Sequence, residues 1–251
     1  MNILKWLRKD VVVHCYTSTA AVFNYAPIKN SNAFIPEWWK VLPKSFMGAG
    51  KDIPAPTMKG CVGFVDLYKQ GFMMPMWSDL KIDIGQIGTT AFKYQFSDRQ
   101  STAGYHSALQ RGDAFIETEY QHLKIEPPWL LACEEDVNFL QVGAYWNNSL
   151  PDVASVMPGI VEFKYQCGAN INTMWARQPE DKEYLIDFGE PLVQFIPITE
   201  RNVKIQLHLI SESEFQSRRS IAFSTTFLSK YRNNKRLRQQ SGCPFHVKVE
   251  K

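Results

Sequence analysis

The sequence is poor in the residue groupings that carry chemistry. Its five cysteines, Cys15, Cys61, Cys133, Cys167 and Cys243, are widely spaced, with no C-x-x-C pair and no histidine cluster beside them. Neither a zinc site nor a disulfide framework is signalled, and reduced, mostly buried thiols are expected. No run approaches the ~20 apolar residues that a membrane-crossing helix needs, so no membrane association is expected. Met1 to Lys9 carries Lys5, Arg8 and Lys9 without a long apolar core or a small-residue cleavage site, so no secretory leader is expected. The net charge of +3 is too small for a dedicated nucleic-acid binder. There is no G-x-S-x-G elbow, and Gly48 to Asp52, GAGKD, lacks the spacing of a phosphate loop. None of the five histidines, His14, His106, His122, His208 and His246, has a carboxylate or a second histidine two residues on. The His-x-Asp facial triad and the H-x-H pair of a cupin are thereby missing, and no cofactor is expected.

What the sequence does hold is strand pattern. Aromatic residues make up 13% of the chain and hydrophobic ones 45%, enough for a β-rich core in one large domain or two small ones. The stretch from Met157 to Ile198 is predicted to form a meander that the rest packs around. In it Val161, Phe163, Tyr165 and Cys167 alternate with polar residues, followed by strands over Ile171 to Ala176, Tyr184 to Phe188 and Leu192 to Ile198. Alternation also predicts strands at Leu80 to Ile84 and Phe92 to Phe96, paired across Gly85 to Thr89, and at Val203 to Leu209. Val11 to Tyr16 and Ala20 to Tyr25 are predicted to form a hairpin, and Ser97 to Gly112 a long surface loop. Strands are further predicted after Pro127-Pro128 and within Val137 to Tyr145.

Helices are fewer. Pro36 suits a helix start and Pro43 a stop, so Glu37 to Leu42 is predicted to form a short helix carrying Trp38 and Trp39. Neighbouring residues on a helix point about 100° apart, so the two indoles must meet different surroundings. One reading makes the second ring a contact surface; the other covers both rings with the loop Phe46 to Thr57. Val62 to Gln70 is predicted as a helix closed by Gly71, with Val62, Val65, Leu67 and Tyr68 as its apolar contacts. Ser211 to Gln240 turns helical and ends in Lys230, Arg232, Lys235, Arg236 and Arg238. These cations suit either a solvated helix C-terminus or a patch for nucleic acid or another acidic partner.

Three segments carry a resemblance: Ile35 to Pro43 (IPEWWKVLP), Gly60 to Leu67 (GCVGFVDL) and Phe72 to Leu80 (FMMPMWSDL), with Pro158 to Val161 and Gly189 to Pro197 alongside. There the chain resembles a group of uncharacterised proteins of tailed, particularly marine, bacteriophages. The resemblance implies a phage gene product with a jelly-roll-like domain and brings no functional residues with it. The expected fold is mainly β: a jelly-roll-like antiparallel β-sandwich, of double-stranded β-helix type, with short N-terminal helices and a C-terminal basic helix. Its expected divisions are 1–75, hairpin and short helices packed on the β-domain; 76–211, the sandwich core; and 212–251, the basic helix and tail. The expected role is non-enzymatic, a virion component or protein-binding module acting in the host cytoplasm or the particle. Expected partners are other phage proteins or a second copy, met through Trp38, Trp39 and the basic cluster. The alternative is a jelly-roll metal-dependent oxygenase or hydroxylase with a non-standard ligand set, in which His106, His122 and His208 would converge.

Overall fold

The computed structural model describes residues 9–48, 53–110, 112, 115–165, 168–223 and 236. The elements in chain order are β1 (Val11–Thr17), α1 (Ala20–Tyr25), β2 (Lys29–Asn30), α2 (Glu37–Val41), β3 (Ser45–Phe46), β4 (Ala55–Pro56), α3 (Val62–Lys69) and β5 (Phe72–Pro75). Then follow β6 (Leu80–Ile84), β7 (Phe92–Phe96), β8 (Thr102–Tyr105), β9 (Tyr120–Glu126), β10 (Leu130–Cys133), β11 (Phe139–Gly143) and β12 (Ala154–Val156). The last are β13 (Gly159–Val161), β14 (Ile171–Ala176), β15 (Lys182–Ile186), β16 (Pro191–Pro197), β17 (Val203–Leu209) and α4 (Glu212–Phe223). The chain is mainly β, with several antiparallel sheets and few helices.

The strands assort into sheets ordered β13-β11-β16-β5-β2, β12-β14-β9-β8, β15-β6-β7 and β10-β1-β17, with a small β3-β4 pair beside them. Pairing is antiparallel except between β1 and β17, which run parallel from Val11 against Val203 to Thr17 against Leu209. β5 and β6 are two halves of one bent ribbon, and β16 and β15 are the halves of its partner. At the bend the Met76 amide donates to the Glu190 carbonyl (2.7 Å) and the Gly189 amide to the Met76 carbonyl (2.8 Å), so the ladder continues round the corner. A second corner falls at Pro127-Pro128, between β9 in one sheet and β10 in another. Proline has no N–H to give a ladder, which makes it a natural place for a strand to change sheets.

The core lies between these sheets. Val11, Val13 and Cys15 of β1 and Leu80, Ile82 and Ile84 of β6 are buried by strict alternation. β5 and most of β16 are buried on both faces, because their sheet is covered on one side by α3. Four rings, Phe72, Phe139, Phe163 and Phe195, interlock at its centre with centroids 5.0 to 6.4 Å apart. Buried Arg177 ends β14. Its Nε donates to the Glu117 carbonyl (3.0 Å) and its Nη1 to the carbonyls of Gly85 (3.3 Å) and Ala91 (2.5 Å), fastening the β6–β7 turn to the neighbouring sheet.

Several sequence-based expectations need correction. Ala20 to Tyr25 is the helix α1, not a hairpin partner; β1 instead pairs with β10 and β17, which supply the apolar neighbours its alternation demands. The predicted meander does not exist as one sheet, because β14, β15 and β16 belong to three different sheets. Of Val161 to Cys167, only Val161 belongs to a strand, as the last residue of β13; Phe163 and Tyr165 are buried from a turn, whose geometry happens to give the same alternation. The predicted loop Ser97 to Gly112 contains β8, an edge strand on β9. On α3 the buried residues are Phe64 and Tyr68, four apart, while Val62 is 69% exposed. Among the cysteines Cys15 and Cys133 are buried and free, Cys61 is exposed, and Cys167 and Cys243 lie outside the described residues.

Candidate functional site

α2 begins directly after Pro36, whose φ of −65° is already that of a helix. Its two indoles diverge as the 100° step requires. Trp39 lies flat on Phe64, with centroids 5.4 Å apart and planes 11° from parallel. The Lys59 ammonium sits 4.4 Å over the Trp39 ring and donates to the carbonyls of Trp39 (2.9 Å) and Lys40 (2.7 Å), so one cation caps both the ring and the helix end. Trp38 meets Phe64 edge-on at 5.7 Å, and its Nε1 donates to the Trp146 carbonyl at 3.0 Å. The Trp146 ring in turn meets Phe64 at 5.2 Å and Trp38 at 6.2 Å. Phe64 is therefore the buried hub of an aromatic cluster whose outer members, Trp38 and Trp146, are 37% and 41% exposed, with Tyr145 at 59% beside them.

Hydrogen bonds from the sheet fix this cluster in place. Gln194 of β16 is buried, and its Nε2 donates to the Leu67 and Gln70 carbonyls (2.9 and 3.3 Å), tying the end of α3 to the sheet beside the backbone bond that Leu67 already accepts from the Gln70 amide. The Tyr68 hydroxyl donates to Asn147 Oδ1 (2.8 Å), and Asn147 Nδ2 donates to the Phe34 carbonyl (2.7 Å), joining three separate segments. Burial pushes the Tyr68 phenol up to about 12. Of the cluster, sequence reasoning found the Trp pair and missed Phe64, Tyr145 and Trp146. The Phe64/Tyr68 spacing of four was the available signal for the hub; nothing local marks the Trp146 loop as its neighbour.

Lys230, Arg232, Lys235 and Arg238 lie outside the described residues, and Arg236 is helical and exposed. The described α4 packs on the outer face of the β10-β1-β17 sheet. Phe215 is buried there, the Arg218 guanidinium stands 4.3 Å over the Tyr16 ring, and Arg219 pairs with Glu126 at 3.0 Å.

The four described histidines form two separate pairs, and His246 lies outside the described residues. His106 stacks on His122 at 4.4 Å, and His122 Nε2 lies 3.1 Å from Asn172 Oδ1. His208 instead meets His14 across the parallel β1–β17 pair, with His208 Nε2 3.0 Å from His14 Nδ1 and both rings stacked along Tyr16. His106, His122 and His208 thus do not make a ligand set: among the described residues no group of three or more His, Cys, Asp or Glu side chains is placed to hold a metal. The reason is register, since the β1–β17 pairing sets Tyr16 opposite His208 and leaves His14 as its diagonal neighbour.

Burial holds the pKa of both His14 and His208 below the ordinary 6.5; the neighbouring His14 lowers His208 further, and Arg218 adds to the effect on both rings against the opposing pull of Glu134 on His14 and Glu214 on His208. A group with a depressed folded pKa leaves the unfolded chain binding more protons, so stability is complete above about pH 6.5 and falls as pH drops through the folded values. Urea unfolding midpoints are expected to hold from pH 8 to 7 and decline from pH 6.5 to 5.5. Replacing His208 with Gln should flatten that decline; a wild-type midpoint that does not move over this range would contradict it.

Beside Tyr145 lies a cleft of about 260 Å³ walled by Leu150, Val156 and Leu192 and by the polar side chains of Asn148, Asp152 and Ser155. No family model matches the chain, and no curated protein matches it.

Proposed function

We propose that the chain is a non-enzymatic bacteriophage protein, a virion component or protein-binding module, that engages a protein partner or a second copy of itself through the Trp38–Trp146 surface. The observation that carries this reading is the exposure of two indoles on a rigid buried base: Phe64 and Trp39 hold them, Gln194 and Asn147 hold the base, and their outer edges meet solvent. Ordered aromatic groups of this kind dominate binding energy because they bury large area at little entropic cost. The phage origin rests on the resemblance at Ile35 to Pro43 and the other matching segments. A jelly-roll-like closure is the proposed finer form of the β-domain, supported by the two corners at which ribbons pass from sheet to sheet. The basic cluster from Lys230 to Arg238 is the proposed second contact, for nucleic acid or an acidic protein.

The test separates binding from folding. Trp38→Ala is expected to weaken self-association, or co-sedimentation with purified particles, by about tenfold or more, with little change in unfolding midpoint. Trp39→Ala, which removes the ring stacked on Phe64, is expected to cost about 3 kcal/mol of stability. Equal destabilisation by both, with assembly unchanged, would reduce the cluster to core packing.

A further inference from the structure

We propose that the cleft beside Tyr145 is a binding site for a neutral pyranose sugar, a ligand distinct from the protein partner of the Trp38 surface. Its first component is a pinned ring. A Cβ placed on Gly143 would sit 3.4 Å from Tyr145 Cζ, so the glycine lets one edge of the ring lie against the backbone. The hydroxyl donates to the Val156 carbonyl at 3.2 Å, which fixes the ring's rotation. Yet Tyr145 remains 59% exposed, which leaves aromatic surface free at the cleft mouth. A fixed apolar face of this kind is what the C–H face of a pyranose packs against.

The second component is unspent hydrogen-bonding capacity elsewhere in the lining. Asn148, Asp152 and Ser155 line the cleft and make no side-chain hydrogen bond or ion pair among the described residues. Asn148 is held in the left-handed region, φ 54°, and closes the tight turn after Trp146. An amide, a carboxylate and a hydroxyl together offer donors and acceptors in the mixture that adjacent sugar hydroxyls match, since each hydroxyl both donates and accepts. The charge of the lining excludes the obvious competitors. It holds Asp152 and no lysine or arginine, which disfavours phosphate or carboxylate ligands. Only one aromatic ring lines it, where an organic cation would want a cage of several. A cleft of about 260 Å³ has room for one sugar ring and a substituent.

The experiment is saturation-transfer NMR on the full chain with the methyl pyranosides of glucose, galactose, mannose and N-acetylglucosamine, at millimolar concentration. Transfer to at least one is expected, with affinity reduced about tenfold or more by Tyr145→Ala and by Asp152→Ala. Both side chains are exposed, so their variants should keep the wild-type unfolding midpoint. Trp38→Ala should leave sugar binding intact, which keeps this outcome separate from the partner test. No transfer to any of the four sugars, transfer unaffected by both variants, or displacement of the sugar by tetramethylammonium would each overturn the proposal.

Discussion

Gly71→Ala is expected to destabilise the chain by more than about 4 kcal/mol, the range reserved for a backbone that cannot relax. Gly71 follows α3 with φ +67°, where a β-carbon is already disfavoured by about 1–2 kcal/mol. The larger effect is steric. A Cβ there would lie 1.9 Å from the Phe195 carbonyl oxygen, and that oxygen belongs to β16, held on both sides by β11 and β5. The Ser31 amide also donates to the Gly71 carbonyl (3.2 Å), so the turn cannot move away freely. Gly189 provides the control: its φ is +87°, but nothing lies within 4 Å of its added Cβ. Gly189→Ala should cost only the conformational part, about 1–2 kcal/mol. Asparagine tolerates the left-handed region, so Gly71→Asn should be as damaging as Gly71→Ala. If urea unfolding shows Gly71→Asn close to wild type, the steric argument fails.

The second large effect is expected at Phe72. Its ring is fully buried and touches Phe195 (5.2 Å), Phe139 (5.9 Å) and Phe163 (6.4 Å). Phe72→Ala removes the shared neighbour of three rings that come from different elements, and the surrounding sheet is too well paired to collapse into the space. A loss of about 3–5 kcal/mol is expected, with the denaturant slope unchanged if the chain still unfolds in one step. Phe72→Leu should recover a good part of it. A loss below about 1 kcal/mol for the alanine variant would mean that the four-ring cluster is looser than its geometry implies.

Individual strands were legible in the sequence wherever one face is buried, because alternation is then imposed by the pleat. Leu80 to Ile84 read correctly for that reason, and Phe92 to Phe96 and Val203 to Leu209 because their apolar side chains alternate with polar ones even where they are only half-buried. Partners were not legible. Nothing in Ile171 to Ile198 says that three consecutive strands will enter three sheets, since the corner at Met76 and Glu190 is made by backbone bonds between distant segments. β8 was hidden because Thr102–Tyr105 is only four residues long and carries no alternation of apolar and polar side chains. At the site, Pro36 and Pro43 announced the short helix and so the divergence of Trp38 and Trp39. Trp146 joins them from more than a hundred positions away, and periodicity carries no information over that distance. The same limit applies to His14 and His208, whose meeting depends wholly on the β1–β17 register.

That parallel pairing also sets an order of events during synthesis. β1 is made well before one of its two neighbours, β17, which ends at Leu209. β10 is available earlier to one side of β1, but the other edge stays open until β17 has emerged. An unpaired edge flanked by Val11, Val13 and Cys15 is a template for pairing with another chain. Contacts so distant in sequence also form slowly, because the closure entropy must be met before the pairing stabilises anything. A ribosome stalled before Val203 would therefore present a half-built sheet, and the yield of folded protein should depend on how quickly β17 arrives.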